Sequence, residues 1–303
     1  MSHRWRRVAA LAAAALTLAA CSGSDNGGAV GGVAPVHSAP AAPGALRGQV
    51  PAAIAARGVL RVGAAVGRAP LMFYGTGTHQ LEGLEYDLLQ DVGVQLGLRV
   101  EVVDEPLDQL GPQMLAHHTD AFMSGFVDLK SFQGTGIDFV DYLTGRTAVL
   151  VRHADPNRAS GPDGLCGKKV GLLGGTAQQV ASTALNDACK GRGRPALALR
   201  IDADHGALLQ SLARGQLDAV LDDATVAQYN AQESTGAATL DVAGATIDPL
   251  PYGIGVPKDD PQLRDVLQAA MQAIVADGTY DAALAHWGGD DAALHTITVN
   301  AGP

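Results

Sequence analysis

A glycine-rich loop is the first segment of the sequence whose residue types suit the binding of a charged molecule. Gly174-Gly175-Thr176-Ala177-Gln178 lies between a β-rich run and a helical run, and Thr176 is placed to cap the helix. Backbone N–H groups at a helix start attract anions, so the loop is a candidate ligand contact. It lacks the lysine of a phosphate-binding P-loop, and simple helix capping is the alternative interpretation.

Two adjacent carboxylates, Asp222 and Asp223, end the strand predicted over residues 219–221. The pattern makes Asp223 a candidate N-cap for the helix that we predict from Thr225. No nucleophile–base pair is visible in the sequence, so we predict no catalytic residue.

Metal, cofactor and nucleic-acid chemistry find little support in the sequence. His117 and His118 are adjacent and point different ways, and no third ligand is placed by spacing, so we expect a solvated turn and no metal site. We predict no cofactor. The net charge of −10 without a basic run argues against nucleic acid and anionic membrane surfaces as partners.

The N-terminal segment predicts export and anchoring. Three arginines within the first seven residues precede an apolar run, so residues 1–21 are predicted to be a signal peptide. The run ends in Leu18-Ala19-Ala20-Cys21, which resembles a bacterial lipobox and makes Cys21 the predicted lipidated residue. An ordinary signal peptide with a free cysteine is the alternative. Residues 22–50 are rich in Gly, Ala, Pro and Ser and are predicted to be a flexible tether.

The two remaining cysteines, Cys166 and Cys189, bracket one predicted strand and one predicted helix. In an exported domain we expect them to form a disulfide. A catalytic or metal-binding thiol is the weaker alternative, because the sequence has neither a CxxC motif nor Cys/His ligand spacing.

Strand and helix patterns alternate along the rest of the chain, which predicts an α/β fold. Strands are predicted at 59–63, 99–103, 120–123, 148–151, 169–173, 197–201, 219–221 and 252–256. Helical patterns are predicted around 88–96, 110–115, 177–188, 208–212, 225–232 and 263–275.

Several separated motifs carry a resemblance to a known family. Val59-Leu60-Arg61-Val62-Gly63 is followed by a loop with Ala69-Pro70 and then by Gly83-Leu84-Glu85-Tyr86-Asp87. Gly215-Gln216-Leu217-Asp218-Ala219-Val220 and Tyr252-Gly253-Ile254-Gly255-Val256 follow in order. From about 55 to 288 the chain resembles the extracellular solute-binding proteins, family 3, which are type II periplasmic binding proteins of ABC importers, in the polar amino-acid branch.

The resemblance implies a two-lobed fold, each lobe a mixed sheet flanked by helices. Lobe 1 is expected to comprise residues 55–145 plus 255–290, and lobe 2 residues 146–254. Two crossing strands near 146–151 and 252–256 would form the hinge. Residues 291–303 are expected to be a C-terminal tail.

The resemblance also implies where a ligand's α-carboxylate would bind. A hydroxyl and backbone amides at Ser124 and Gly125 match the family's carboxylate contacts. The family's carboxylate-binding arginine is missing, since the chain reads Asp128-Leu129-Lys130-Ser131-Phe132-Gln133. Lys130, Arg68 or Arg146 could supply the positive charge, or the ligand lacks an α-carboxylate.

The other implied contacts are Thr176, Ala177, an apolar wall at Leu107, and Asp223, which matches the acid that pairs with the ligand's ammonium. Arg68 stands where the family often has an aromatic residue. Exposed loop positions are the alternative for Arg68 and Lys130, and helix capping is the alternative for Asp223.

The resemblance implies a lipid-anchored, extracytoplasmic solute-binding protein that captures a small polar solute by hinge closure. It would deliver the solute, an amino acid or a related amine or organic acid, to an ABC permease. We expect a monomer on the outer face of the cytoplasmic membrane. A ligand sensor without a transport role is one alternative. A dehydratase on the same fold, with Asp223 as general acid, is another.

Overall fold

The structure, a computed structural model, describes residues 42–236 and 239–303. The predicted signal peptide, Cys21 and most of the predicted tether lie outside the described residues. Within the described part of the chain, no helix is both long enough and apolar enough to cross a membrane.

Helices and strands alternate through the described residues. The α-helices are α1 (Ala52–Arg57), α2 (Leu84–Leu96), α3 (Leu110–Leu115), α4 (Lys130–Gln133), α5 (Ala177–Gly191), α6 (His205–Ala213), α7 (Ala224–Glu233), α8 (Pro261–Asp277) and α9 (Thr279–Trp287). The strands are β1 (Val59–Ala64), β2 (Phe73–Tyr74), β3 (Leu81–Glu82), β4 (Arg99–Asp104), β5 (Ala121–Phe122), β6 (Ile137–Arg152), β7 (Lys169–Leu173), β8 (Ala198–Asp202), β9 (Ala219–Asp223), β10 (Leu240–Val242), β11 (Ile247–Pro257) and β12 (Ala293–Val299).

Apolar periodicity explains the two long helices of the first lobe. Helix α2 buries residues at helical spacing, among them Leu88, Leu89, Val92 and Leu96. Helix α8 starts where the Asp260 carboxylate accepts a hydrogen bond from the Leu263 amide, with proline at the first position. Both helices pack their apolar faces into one large cluster beneath β1 and β11.

One mixed sheet has the strand order β4-β1-β5-β11-β6-β9-β7-β8. Strand β1 is parallel to β4 and β5 on one side, and β7 is parallel to β8 and β9 on the other. Strands β6 and β11 are antiparallel to each other and connect the two sides. The fold therefore has two lobes joined by two long strands, as predicted.

The hydrophobic clusters divide largely along the same line. A large cluster surrounds β1, α2 and α8, whereas smaller clusters surround β7 and β9. Ala177 and Val226 belong to the second lobe but pack into the large cluster beside Tyr252. The lobes are therefore in contact at the seam where β6 and β11 cross. The precise lobe limits remain a prediction.

The second lobe contains the Cys166–Cys189 disulfide, with the Cα atoms 5.6 Å apart. It ties the start of β7 to the end of α5, across a sequence separation of 23 residues. In the chain-entropy account, closing such a loop stabilises the fold by about 3 kcal/mol.

The two ends of the domain differ from the sequence prediction. The tether was expected to reach residue 50, yet the Gly44 and Leu46 amides donate to carbonyls at the end of α2, Val94 and Gln95. At the other end, β12 forms in the predicted tail and pairs with β6. Leu46 and Ile297 explain both, because each supplies apolar surface that packs on the large cluster.

Candidate functional site

Arg68 lies at the seam between the lobes. It follows β1, immediately before the Ala69-Pro70 bond, and its side chain is only 4% exposed. Gly125 makes room for it, because a Cβ at position 125 would lie 3.2 Å from an Arg68 terminal nitrogen. The solvated-loop alternative for Arg68 is therefore wrong.

The Arg68 guanidinium is surrounded by negative groups without being paired to one. Burial opposes its charge, but Asp222 and further neighbours outweigh burial and raise the pKa of Arg68 above its ordinary value. Those neighbours are the carboxyl groups of Asp222, Asp223 and Glu85, together with the hydroxyl group of Tyr252. Among the described residues no carboxylate oxygen lies within 4.0 Å of an Arg68 nitrogen, and Nε has no hydrogen-bond partner.

Asp223 faces Arg68 from the second lobe. Its Oδ1 accepts hydrogen bonds from the Thr225 and Val226 amides, at 2.9 and 3.2 Å, so it caps α7. Its Oδ2 accepts a hydrogen bond of 3.0 Å from the Tyr252 hydroxyl. Burial raises the pKa of Asp223, and Arg68 opposes that rise. The capping interpretation and a position at the seam are therefore both correct.

Tyr252 reaches Asp223 because of a glycine in the facing strand. A Cβ at Gly145 would lie 2.1 Å from Tyr252 Cζ, so the ring packs directly over the β6 backbone. Tyr252 belongs to β11, and its hydroxyl thereby connects a hinge strand to the second lobe. A larger residue at 145 would displace the ring from Asp223.

Asp222, the acid next to Asp223, contacts His205 and not Tyr252. Its Oδ2 lies 2.7 Å from His205 Nε2, and its Oδ1 accepts from the Asp223 amide at 2.9 Å. Burial alone would raise the pKa of Asp222, but the His205 contact and Arg68 outweigh it and lower the pKa below its ordinary value. Asp222 thus adds negative charge beside Arg68.

In the first lobe, the predicted contacts Ser124 and Gly125 are buried at the seam and engaged by the chain itself. The Ser124 hydroxyl contacts the Ala65 backbone, and the Gly125 amide donates to Glu85 Oε1 at 2.6 Å. The Tyr142 hydroxyl donates to the same oxygen. Burial raises the pKa of Glu85.

Thr176 and Ala177 lie at the start of α5 and are buried. Thr176 is the N-cap residue, but the predicted capping bond by its side chain is wrong. The hydroxyl instead donates to the Leu173 carbonyl at 2.7 Å, because that acceptor lies three residues earlier at the end of β7.

Leu107 and Lys130 differ in their relation to the seam. Leu107 Cδ2 lies 3.9 Å from the position that a Cβ on Gly175 would take, so this first-lobe side chain reaches the second lobe. Lys130 is exposed at the start of α4, and its backbone amide donates to the Pro303 carbonyl. The Arg146 guanidinium donates to the Asp291 carbonyl at 2.7 Å.

A cavity of about 540 Å³ opens at the seam beside Arg68. Its lining includes Arg68 and Leu107 from the first lobe and Leu173 and His205 from the second. A larger cavity of about 640 Å³ lies within the second lobe, beside β10, and contains none of the predicted site residues. Arg68, a charged residue that the sequence predicted as a ligand contact, lines the cavity at the seam.

The exposed pair His117 and His118 lies in a turn, and the described residues contain no cluster of three metal-ligating side chains. The sequence did not predict that Tyr252, Glu85 and the His205–Asp222 pair are parts of the site. Only Asp222 carried a signal, as the neighbour of Asp223. The others are brought to the seam by contacts between residues far apart in sequence.

Two lobes joined by two strands, with buried charges facing each other at the seam, define the class of two-lobed solute-binding proteins. Residues 60–290 match the bacterial extracellular solute-binding proteins, family 3. The chain belongs to this family.

Several of the proteins that match are named as amino-acid-binding proteins. The arginine-binding protein of Corynebacterium glutamicum is 26% identical over 85% of this chain and 83% of its own length. A solved ancestral arginine-binding protein bound to arginine is 26% identical, with a TM-score of 0.67, over 76% of this chain and 98% of that one. An ancestral amino acid-binding protein, described as a precursor of cyclohexadienyl dehydratase, is 25% identical with a TM-score of 0.68, over 78% and 97%.

Proposed function

We propose that this protein is the solute-binding component of an ABC importer and captures a small polar solute, an amino acid or a close relative, between its lobes. The observation that carries the proposal is the presence of two opposite charges at the seam, Arg68 on the first lobe and Asp223 on the second, which form no salt bridge within the described residues. A zwitterion presents the complementary pair of charges. The amino-acid-binding relatives support the same solute class.

Closure of the lobes would be the mechanism of capture. Strands β6 and β11 are the connections that a hinge motion bends, and Leu107 reaches across the seam to Gly175. A solute that contacts both sides favours the closed arrangement by its differential affinity for it. The permease partner is proposed from the family alone.

Thermal unfolding of the purified full-length chain tests the proposal. We screen the twenty amino acids, simple amines and organic acids, with small-angle scattering on any hit. A solute at about 100 times its Kd contributes about 2.7 kcal/mol, enough to raise Tm by several degrees. A panel without a single stabilising compound contradicts the proposal.

We also propose that Cys21 carries a lipid that holds the protein at the outer face of the cytoplasmic membrane. The support is the lipobox-like Leu18-Ala19-Ala20-Cys21 and the small polar residues after it. Intact-mass analysis of membrane-extracted protein is expected to show a mature chain that begins with a lipidated Cys21. The variant Cys21→Ser is the control, and an unmodified cysteine in the native protein contradicts the anchor.

A binding role without catalysis is part of the proposal. One ancestral neighbour is described as a precursor of a dehydratase, but Asp223 already caps a helix with one oxygen and accepts from Tyr252 with the other. Turnover of prephenate or arogenate by the purified protein would contradict the binding role. A sensor that binds the same solute without a permease is distinguished by uptake of labelled solute in cells lacking this protein.

A further inference from the structure

We infer that Arg68 binds the carboxylate of the solute, in the role left open by the arginine missing from residues 128–133. This rests on the proposed function and adds to it a specificity-determining residue and a requirement for the solute to carry a carboxylate.

The unfilled hydrogen-bonding capacity of Arg68 is the first step. A guanidinium has five N–H donors. Within the described residues the guanidinium forms one contact, to the Ser124 carbonyl at a long 3.5 Å, and Nε has no partner although Arg68 is only 4% exposed. A buried donor without an acceptor costs free energy. The site is therefore suited to an acceptor that comes from outside the chain.

The geometry of the missing acceptor is the second step. A carboxylate offers two oxygens to a guanidinium in parallel, a match that a lysine ammonium cannot provide. The acids of the chain do not fill this place. Asp222 is bonded to His205, Asp223 caps α7, and Glu85 accepts from Gly125, all without approaching within 4.0 Å of Arg68.

Lys130 and Arg146, the two other cations that the sequence suggested, are not placed to bind a carboxylate at the seam. Lys130 is exposed and absent from the lining of both seam cavities, the one beside Arg68 and a smaller one beside Phe132. Arg146 is engaged with the Asp291 carbonyl. Of the three cations that the sequence offered, Arg68 is the one buried at the seam and adjoining a cavity of about 540 Å³.

An α-amino acid head group can therefore be oriented between the lobes. Its carboxylate would face Arg68, and its ammonium would face Asp223, the opposite charge across the seam. Amines without a carboxylate would leave Arg68 unpaired and are expected to bind weakly.

The experiment compares each amino acid with the amine formed by loss of its carboxylate. Titration calorimetry measures Kd for L-arginine and agmatine, L-lysine and cadaverine, and L-histidine and histamine, after a screen of all twenty amino acids. The wild-type chain is expected to prefer the amino acid of a binding pair by about 10- to 100-fold. In Arg68→Gln that preference is expected to fall to within threefold, mainly through weaker amino-acid binding.

Two further variants keep the test decisive. Lys130→Gln removes an exposed cation that lines neither seam cavity and is expected to keep the wild-type preference. Arg68→Lys keeps the charge without the two-pronged geometry and is expected to reduce the preference at least threefold, which decides the question if Arg68→Gln does not fold.

The outcomes separate this inference from the proposed function. Binding of an amino acid with the same preference in wild type and both Arg68 variants overturns the inference alone. A wild-type chain that binds the amine as tightly as the amino acid overturns it as well. A wild-type chain that binds no member of the panel overturns the proposed function and the inference together.

Discussion

Two groups of buried acids lie near the strands that join the lobes, and they differ in what satisfies them. The seam group contains Glu85, Asp222 and Asp223 around Arg68. The tail group contains Asp128 and Asp141, both fully buried beneath the end of the chain. No cation pairs with either acid of the tail group within the described residues.

Donors from the chain itself bind three of the four carboxylate oxygens of the tail group, all except Asp141 Oδ1. Asp128 accepts from the Gly302 amide and the Gln133 side chain, each at 2.7 Å. Asp141 Oδ2 accepts from the Thr298 hydroxyl at 2.8 Å and the Ala301 amide at 3.1 Å. The seam group instead contains a cation with donors left over. The tail group therefore holds the end of the chain to the fold, whereas the seam group is the one that the proposed solute would contact.

The variant Asp128→Ala tests the tail group most severely. It leaves the Gly302 amide and the Gln133 side chain without their acceptor in a buried place, so we expect a loss of about 2–4 kcal/mol in the free energy of unfolding. Urea unfolding measures it. Asp128→Asn, which keeps one acceptor oxygen, is the matched control and is expected to lose less. Solute affinity measured below Tm is expected to stay within threefold, and a stability loss under 1 kcal/mol would show that the tail is not held by this acid.

The variant Asp141→Asn tests the same group through pH. Burial is the largest cause that raises the pKa of Asp141 to about 6, helped by Asp128 and opposed by Thr298 and Ala301. The folded state therefore holds this proton more tightly than the unfolded chain. The stability that it contributes is complete below the ordinary pKa of 3.8 and is lost as pH rises through 6.

Between pH 4 and pH 7 the free energy of unfolding of the wild type is therefore expected to fall by up to about 3 kcal/mol relative to that of Asp141→Asn. Asparagine can donate to Asp128 as a protonated carboxyl would, and Asp141 Oδ1 has no partner otherwise. Urea unfolding at both pH values gives the difference. Parallel pH profiles for the two proteins would contradict a raised pKa at this site.

The variant Asp223→Asn separates the two roles of a seam acid. Asparagine caps a helix about as well as aspartate, so stability is expected to stay within about 0.5 kcal/mol. Loss of the charge is expected to weaken amino-acid binding by about 10- to 100-fold. Thermal unfolding and calorimetry measure the two effects. Unchanged affinity would show that Asp223, like the acids of the tail group, has a structural role alone.

The sequence predicted the elements of the fold well where apolar periodicity is regular. Helix α2 and strands β1 and β7 lie within a few residues of their predicted limits. Strand β6 was predicted only at its end, because Asp138 and Asp141 interrupt the apolar pattern over its first half. The partners of those acids include Arg264, Thr298 and Asn300, which are more than 120 residues away and give no local signal.

The site was predictable only as far as the family motif extends. Asp223 and Ser124 lie at the seam as that motif implies, and their contact with a solute remains a prediction. The position of Arg68 could not be derived, since it depends on the space left by Gly125 and on the negative groups around it. The packing of Tyr252 over Gly145 likewise joins residues whose spacing carries no pattern.

Glu85 lies in the seam group but is satisfied like an acid of the tail group, so Glu85→Gln is expected to have the smallest effect. A glutamine carbonyl can accept from both the Gly125 amide and the Tyr142 hydroxyl, and we expect less than about 1 kcal/mol of change. Because burial raises the pKa of Glu85, the wild type loses stability as pH rises through that pKa. The free energy of unfolding of Glu85→Gln is therefore expected to increase relative to that of the wild type over the same pH range. Glu85→Ala, which leaves both donors unmatched, is expected to lose about 2–3 kcal/mol. Urea unfolding and amino-acid titration of the two variants decide the assignment. A large loss of affinity in Glu85→Gln would move this carboxylate from the structural acids to those that face the solute.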